Sequence, residues 1–320
     1  MASTNAAVVV AFNRKKLLTE CLDGLMRQSL PLDAIYVVDN ASTDGTDVYL
    51  QENGYLDAPQ IRYIRLPVNG GGAGGFYHGV WSAFEAGYDW IWLMDDDTEP
   101  EQDALRLMEP LKAYTEVVAI ANQKLDVLGN ETLDGLRMLP KQNDESTAYP
   151  RVKFSSFVGV LIRSAAVQKI GFPRPEFFIH NDDLEYCMRL REIGEIALAK
   201  SSRVVHKEQA RQITPKSYFG FNYLPKDLHD YCFEYYGHRN YVIAYRAHGK
   251  GLSRYLLPLR RFLLAAGAIL VIDRSDRWRR FRVLLRANMD GCRDKFDNSY
   301  PFQMRKRWKT FLARSESIQD

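Results

Sequence analysis

Residues 90–100 read WIWLMDDDTEP. Five apolar residues, read as a strand, run straight into Asp95, Asp96 and Asp97. The same form recurs upstream. Residues 6–12 (AAVVVAF), 34–38 (AIYVV) and 61–66 (IRYIRL) read as three more strands. Between them, residues 15–28 carry Leu18, Leu22, Leu25 and Met26 at helical spacing. Residues 42–45 (STDG) form a turn that can cap a helix, and residues 77–86 read as another helix. Regular alternation of strand and helix predicts a parallel sheet with helices on both faces. Such sheets bind ligands at the carboxyl ends of their strands. Asp39, Asn69 and the three aspartates all fall at or just past such ends, so they are expected to meet at one site.

Further on, residues 119–124 read as a strand, 126–150 as a polar loop and 154–162 (FSSFVGVLI) as a strand. A helix is predicted over 182–193, closed by Gly194, with short strands at 196–199 and 203–206. Beyond Pro215 the chain turns aromatic, then basic and helical. Two domains are expected: an α/β domain over 1–215 and a helical, basic region over 216–320.

Composition narrows the class. With 46% hydrophobic and 26% charged residues among 320, this is an ordinary folded chain. A net charge of +3 gives no argument for a nucleic-acid partner. Cys21, Cys187, Cys232 and Cys292 are scattered, which suggests free thiols in a reducing cytoplasm, not a zinc site or a disulfide framework. No basic-then-apolar leader opens the sequence, so no signal peptide is expected. The apolar run 262–272 is shorter than the roughly 20 residues that span a bilayer. A cytoplasmic protein, soluble or peripheral on the inner face of the cell membrane, is the expectation.

Four pieces carry chemistry. Asp95, Asp96 and Asp97 repel one another unless a cation is near, and hard oxygen ligands suit Mg²⁺ or Mn²⁺; the plain alternative is a solvated acidic turn. Residues 69–76 (NGGGAGGF) let backbone amides approach a phosphate, or else form a flexible loop. No Gly-Lys-Ser/Thr follows, which excludes a Walker loop. In 177–190 (FFIHNDDLEYCMRL), Leu184, Cys187 and Met188 share a helical face and are expected in the core. That leaves Asp182 and Asp183 at the helix start. One cap needs one Asp, so a second, beside an apolar run, suits a general base. His206 gains a role only if a metal needs a nitrogen ligand.

Taken in order, VVVAFNR, VVDNASTDGT, NGGGAGG, MDDDTEP and FFIHNDDLEYCMRLREIG resemble the family 2 glycosyltransferases, over about residues 6 to 210. The resemblance implies the GT-A nucleotide-diphospho-sugar transferase fold, a Rossmann-like, mostly parallel sheet, here with a C-terminal helical extension. Within the family the chain looks most like bacterial galactofuranosyltransferases and rhamnosyltransferases of cell-surface polysaccharides such as O antigen. YYGHRN (235–240) is similar to a signature of that branch, and the paired aspartates favour UDP-galactofuranose as donor over dTDP-rhamnose.

The resemblance also implies roles. Phe12, Asn13 and Asp39 hold the base and ribose; Asn69, Gly71, Gly72 and Gly74 lie against the nucleotide and donor sugar. Asp96 bonds the ribose or sugar. Asp95, Asp97 and His206 bind Mn²⁺ or Mg²⁺. Asp183 is the base with Asp182 beside it, and either could face the acceptor. The implied reaction is an inverting transfer to a hydroxyl of a growing, lipid-linked glycan. A nucleotidyltransferase is a rival reading, but its glycine loop belongs directly after the first strand, where this chain has AFNRKK. A non-catalytic sugar-nucleotide binding module would have no use for Asp183.

From Arg246 to Arg314 there are 18 Lys and Arg against five Asp and Glu. Large apolar residues interleave with them, as in helices that lie on anionic membranes. A helical cap on the first domain, or on a second subunit of a homo-oligomer, is the competing expectation.

Overall fold

β1 (Asn5–Ala11) is buried at every residue. Side chains alternate across a strand, so Ala6, Val8 and Val10 enter one core while Ala7, Val9 and Ala11 enter another. A strand covered on both faces reads as a continuous apolar run. α1 (Lys15–Met26), β2 (Ala34–Asp39), α2 (Thr46–Glu52), β3 (Ile61–Arg65), α3 (Gly71–Glu85) and β4 (Trp90–Asp95) follow. Strands β3, β2, β1 and β4 are neighbours in that order and all parallel. Leu18, Leu22 and Leu25 of α1 pack into one core; Phe76, Val80 and Ala83 of α3 pack into the other.

In this computed structural model the described residues are 3–132, 135–139, 149–207, 216–218, 221–223, 227–273 and 276–316. The chain forms two units: Met1–Pro175 with Asp182–Gln209, and Glu176–Asn181 with Ala210–Asp320. The boundary expected at Pro215 lies outside the described residues, as do parts of the expected loop over 126–150.

The first unit continues with β5 (Thr98–Pro100), α4 (Ala104–Met108), β6 (Val117–Leu125), β7 (Glu131–Thr132), β8 (Leu136–Met138) and β9 (Val152–Ser155). β10 (Val160–Arg163), α5 (Ser164–Ile170), α6 (Asp182–Ile193) and β11 (Glu195–His206) complete it. Among the described residues one sheet has nine strands, ordered β3-β2-β1-β4-β10-β6-β11-β5 with β7 on β6. β10 runs against both β4 and β6, whereas β11 is parallel to β6. The sheet is therefore mostly parallel with one reversed strand in its middle, as the GT-A expectation allows. A buried chain of side chains ties it together. Trp92 Nε1 donates to Asn122 Oδ1 at 2.9 Å, Asn122 Nδ2 to Ser202 Oγ at 2.5 Å, and Ser202 Oγ to the Ala104 carbonyl at 2.6 Å.

Four local expectations change. The stretch 154–162 is two strands: β9 pairs with β8 and β10 enters the main sheet. Gly159, at φ +78°, makes the break in a region that favours glycine. The two strands expected at 196–199 and 203–206 are one, β11, with a bulge between Ala199 and Arg203. On α6, Cys187 is buried as expected, but Leu184 and Met188 are half-buried; Tyr186 and Leu190 fill the core instead. Finally, α3 begins at Gly71, six residues earlier than residue 77. The glycine run is helix, not a loop. A Cβ at Gly75 would collide with Val10, and one at Gly79 with Val8, so two glycines let α3 lie close on β1.

In the second unit, β12 (Lys216–Tyr218) pairs with β13 (Phe221–Tyr223). α7 (Leu228–Tyr231), α8 (Glu234–His248), α9 (Ser253–Val271), α10 (Arg277–Cys292) and α11 (Tyr300–Glu316) follow. Tyr235 and Tyr236 of α8, Ala265, Ala268 and Ile269 of α9, and Leu284 of α10 share a core. Arg239 and Asn240, the last two residues of YYGHRN, are fully buried. Arg239 donates to Asn240 Oδ1 (2.9 Å), Asn298 Oδ1 (2.8 Å) and the Phe177 carbonyl (3.1 Å). Asn240 Nδ2 reaches the carbonyls of Phe177, Ile179 and His180 at 2.9, 3.0 and 2.7 Å. The turn they hold has Phe178, His180 and Asn181 at φ 65°, 67° and 60°, a left-handed run that side chains disfavour. No helix of the described residues is long and apolar enough to cross a membrane.

Gly79→Val should lower unfolding stability by about 1–3 kcal/mol, because the added atoms meet Val8 and Val38. Gly72→Ala, with nothing within 4 Å of its Cβ, should stay within about 1 kcal/mol of the parent. Urea unfolding of both variants checks the pair.

Candidate active site

β4 ends at Asp95, paired with Val10 of β1. The next two aspartates are almost fully buried. Asp96 accepts from the Phe12 amide at 3.1 Å and from the Arg14 guanidinium at 3.3 Å. The same Arg14 nitrogen reaches Asp97 Oδ2 at 3.1 Å. Asp97 Oδ1 is buried and has no hydrogen-bond partner, with His206 Nε2 3.4 Å away. The fold explains that meeting. β5 runs antiparallel to β11 and sets Thr98 against His206, one residue beyond Asp97.

These carboxylates are crowded. Burial pushes Asp95 up to about 7, and the charges of Asp97 and Asp96 add to it while His206 opposes. Burial also pushes Asp96 up to about 7, against the pull of Arg14 and the Phe12 amide. Such a cluster favours a cation. Among the described residues, no three His, Cys, Asp or Glu side chains stand close enough to form a ready-made metal cage. The donor set still fits a divalent ion: a hydrogen-bond-free carboxylate oxygen on Asp97, a nearby imidazole, and Asp95 adjoining.

The second acid group opens α6. Asp183 Oδ1 accepts from the Leu184 amide at 2.7 Å. Burial raises both carboxyls of the pair. Asp182 rises well above the usual range, with the charge of Asp183 adding to burial and that of Asp95 contributing. Asp183 rises less, because its own backbone bonds and the cations Lys124 and Arg137 favour its charged form. The two carboxyls therefore titrate as a pair, with Lys124 and Arg137 favouring charge on Asp183. Asp183 and His206 line one cavity of about 440 Å³, together with Arg137, Phe154, Ser156 and Val158.

The expected donor residues gather at the ends of β1 and β2, but several are occupied with the fold itself. Asp39 is fully buried; it accepts from the Ser42 amide at 2.7 Å and the Tyr63 hydroxyl at 2.5 Å. Asn13, at φ 56°, donates its backbone amide to Ser42 Oγ at 3.0 Å, while its Oδ1 accepts from the Thr43 amide at 2.7 Å. It thereby knits the turn after β1 to the turn after β2. Phe12 keeps its ring partly exposed. Asn69 Oδ1 accepts from the Gly71 amide at 2.7 Å, at the start of α3. Gly72 and Gly74 face open space.

Three residues escaped the sequence reading. Arg14 bridges Asp96 and Asp97; its only signal is its place just after AFN. Lys124 lies buried in β6, where a lone cation needs partners; it donates to the Gly135 carbonyl at 3.1 Å and to Ser156 Oγ. Asn40 accepts from the Gly70 amide at 2.9 Å and donates to the Gly71 carbonyl at 2.8 Å, fixing the start of α3 beside β2.

Known proteins resemble this chain in sequence and fold. A galactofuranosyltransferase, GlfT1, of Mycolicibacterium smegmatis is 30% identical over 202 residues, which span 59% of this chain and 65% of that relative, under two thirds of its length. Staphylococcus aureus TarS (residues 1–349), solved with UDP-GlcNAc, superposes with a TM-score of 0.60 at 15% identity, over 90% of this chain and 81% of that one. The mannosyltransferase PcManGT of Pyrobaculum calidifontis, solved with GDP-Man and Mn²⁺, gives a TM-score of 0.54 at 16% identity, over 92% and 88%. These two likenesses carry the GT-A fold. Residues 6–171, over half the chain, match the model of Glycosyl transferase family 2, and the chain belongs to that family.

Proposed function

We propose that the chain is an inverting hexosyltransferase that moves galactofuranose from UDP-galactofuranose to a hydroxyl of a growing, lipid-linked surface glycan. One observation carries the reading: Asp183 and His206 line the same cavity, with the acidic end of β4 at His206. A base for the acceptor and an acidic, cation-seeking corner for a diphosphate then share one space. The choice of sugar leans on the galactofuranosyltransferase relative and on the paired aspartates.

In this reading Asp95, Asp97 and His206 hold a divalent ion. Bound there, that ion supplies positive charge to the diphosphate leaving group. Phe12, with its partly exposed ring, stacks on the uracil, and Asn13 and Asp39 shape the turns that receive base and ribose. Asn69 and Gly71, with the open faces at Gly72 and Gly74, border the nucleotide and sugar. Asp96, held by Phe12 and Arg14, bonds the ribose or sugar. Asp183 accepts the acceptor's hydroxyl proton as that oxygen bonds the anomeric carbon and the bond to UDP breaks. Asp182 lies beside it, its carboxyl raised by burial and by the charge of Asp183. Positioning and charge account for most of the rate.

Asp183→Asn should lower kcat by about 10²–10⁴-fold while UDP affinity stays near that of the parent. Transfer assays with a panel of sugar nucleotides, beside UDP titration, test this; undiminished turnover contradicts it. In the same assay UDP should compete better than dTDP. Chelation should abolish transfer and Mn²⁺ or Mg²⁺ should restore it.

The base works deprotonated, so activity falls as pH drops through its pKa. Because burial raises Asp183, the acidic limb of kcat/KM should lie above the ordinary carboxylate range. Lys124 favours the charged form, so Lys124→Met should move that limb to higher pH.

A further inference from the structure

α9 presents an apolar face outward. A helix on a protein surface normally turns its polar side to water. Here Ala265, Ala268 and Ile269 face the core of the second unit. On the other side Tyr255, Leu256, Leu259, Leu263 and Leu270 are each more than half exposed. Their spacing makes one stripe over four turns. On neighbouring α10, Trp278 is exposed as well.

α9 contains no Asp or Glu. Of its three arginines Arg260 adjoins the stripe, while Arg261 stacks over Tyr241 and Arg254 donates to the Gly249 carbonyl. Arg260, Arg282 and Arg293 are exposed and have no carboxylate partner among the described residues. An apolar cleft of about 570 Å³ opens beside the stripe, lined by Tyr255, Leu259, Phe262 and Met289 with Arg254 and Arg293. Tyr255 and Leu259 belong to both features, so stripe and cleft are continuous.

We propose that α9, with the adjoining face of α10, docks on an anionic lipid bilayer and lies in the plane of its headgroups. The exposed leucines enter the boundary between headgroups and acyl chains, and the arginines meet lipid phosphates. The helix does not cross the bilayer, since no described helix is apolar enough to do so. A second copy of the chain is the poorer occupant. A twofold contact would set this acid-free helix against itself and oppose arginine to arginine. The docking does not rest on the donor sugar or on the catalytic assignment, and vesicle binding reads it without any transfer assay.

Co-sedimentation of the full chain tests it, with vesicles of phosphatidylcholine alone or mixed with phosphatidylglycerol. The full chain should bind the mixed vesicles, and added salt should weaken binding. Leu256→Glu with Leu263→Glu should cut the partition coefficient at least about tenfold, because two exposed leucines no longer leave water. Arg260→Gln with Arg282→Gln should weaken binding to mixed vesicles only. Leu128→Glu, at an exposed leucine of the first unit, should bind like the parent. Because all these positions are exposed, thermal unfolding of each variant should match the parent. The proposal is overturned by no binding to mixed vesicles, by equal binding to both vesicle types, or by full binding of the double glutamate variant. A dimer in light scattering that the glutamates dissolve, without vesicle binding, overturns it too.

Discussion

The constraint on which the first unit turns is the negative charge gathered where β4 leaves the sheet. Three carboxylates stand in sequence there, two of them almost fully buried. Arg14 partly offsets Asp96 and Asp97, and His206 stands by the one buried Asp97 oxygen that lacks a hydrogen bond. A fold does not bury like charges without compensation. Here the compensation is incomplete within the protein, and Asp95 and Asp96 show it by holding their protons to about 7. In the proposed reading a bound cation would complete that compensation.

The parallel core exists to bring other groups to that corner. β1 and β2 end beside it, and their turns are sewn together by Asn13, Ser42 and Asp39. β11 carries His206 to the edge through its pairing with β5. α6 delivers Asp183 to the cavity that His206 also lines. The two carboxyls that open α6 are unlike because their surroundings are unlike. Lys124 and Arg137 favour charge on Asp183, while Asp182 is pushed toward its neutral form. Environments that push neighbouring pKa values apart are a general way to assign proton roles.

Much of this was legible in the residues. Continuous apolar runs marked β1, β2 and β4 because strands buried on both faces need no polar positions. α6 matched its expected bounds because an acidic start and a following glycine mark helix ends chemically. The glycine run before residue 77 misled. It reads as a loop by propensity, yet Gly75 and Gly79 belong to a helix pressed on Val10 and Val8, and propensity says nothing about a neighbouring strand. The reversal of β10 was equally invisible, since an apolar strand reads the same in both directions. Arg14, Lys124 and Asn40 were missed because their partners lie far away in sequence. Arg239 and Asn240, read only as a signature, act on a left-handed turn some 60 residues earlier, which no local pattern reveals.

Anomalous diffraction from crystals soaked with UDP and Mn²⁺ tests the central claim most directly. The account predicts one strong manganese peak in contact with Asp97 Oδ1 and His206 Nε2, with the diphosphate against it and Asp183 facing the same space. A diphosphate bound with manganese elsewhere, or with Asp183 turned to a separate cavity, would contradict it.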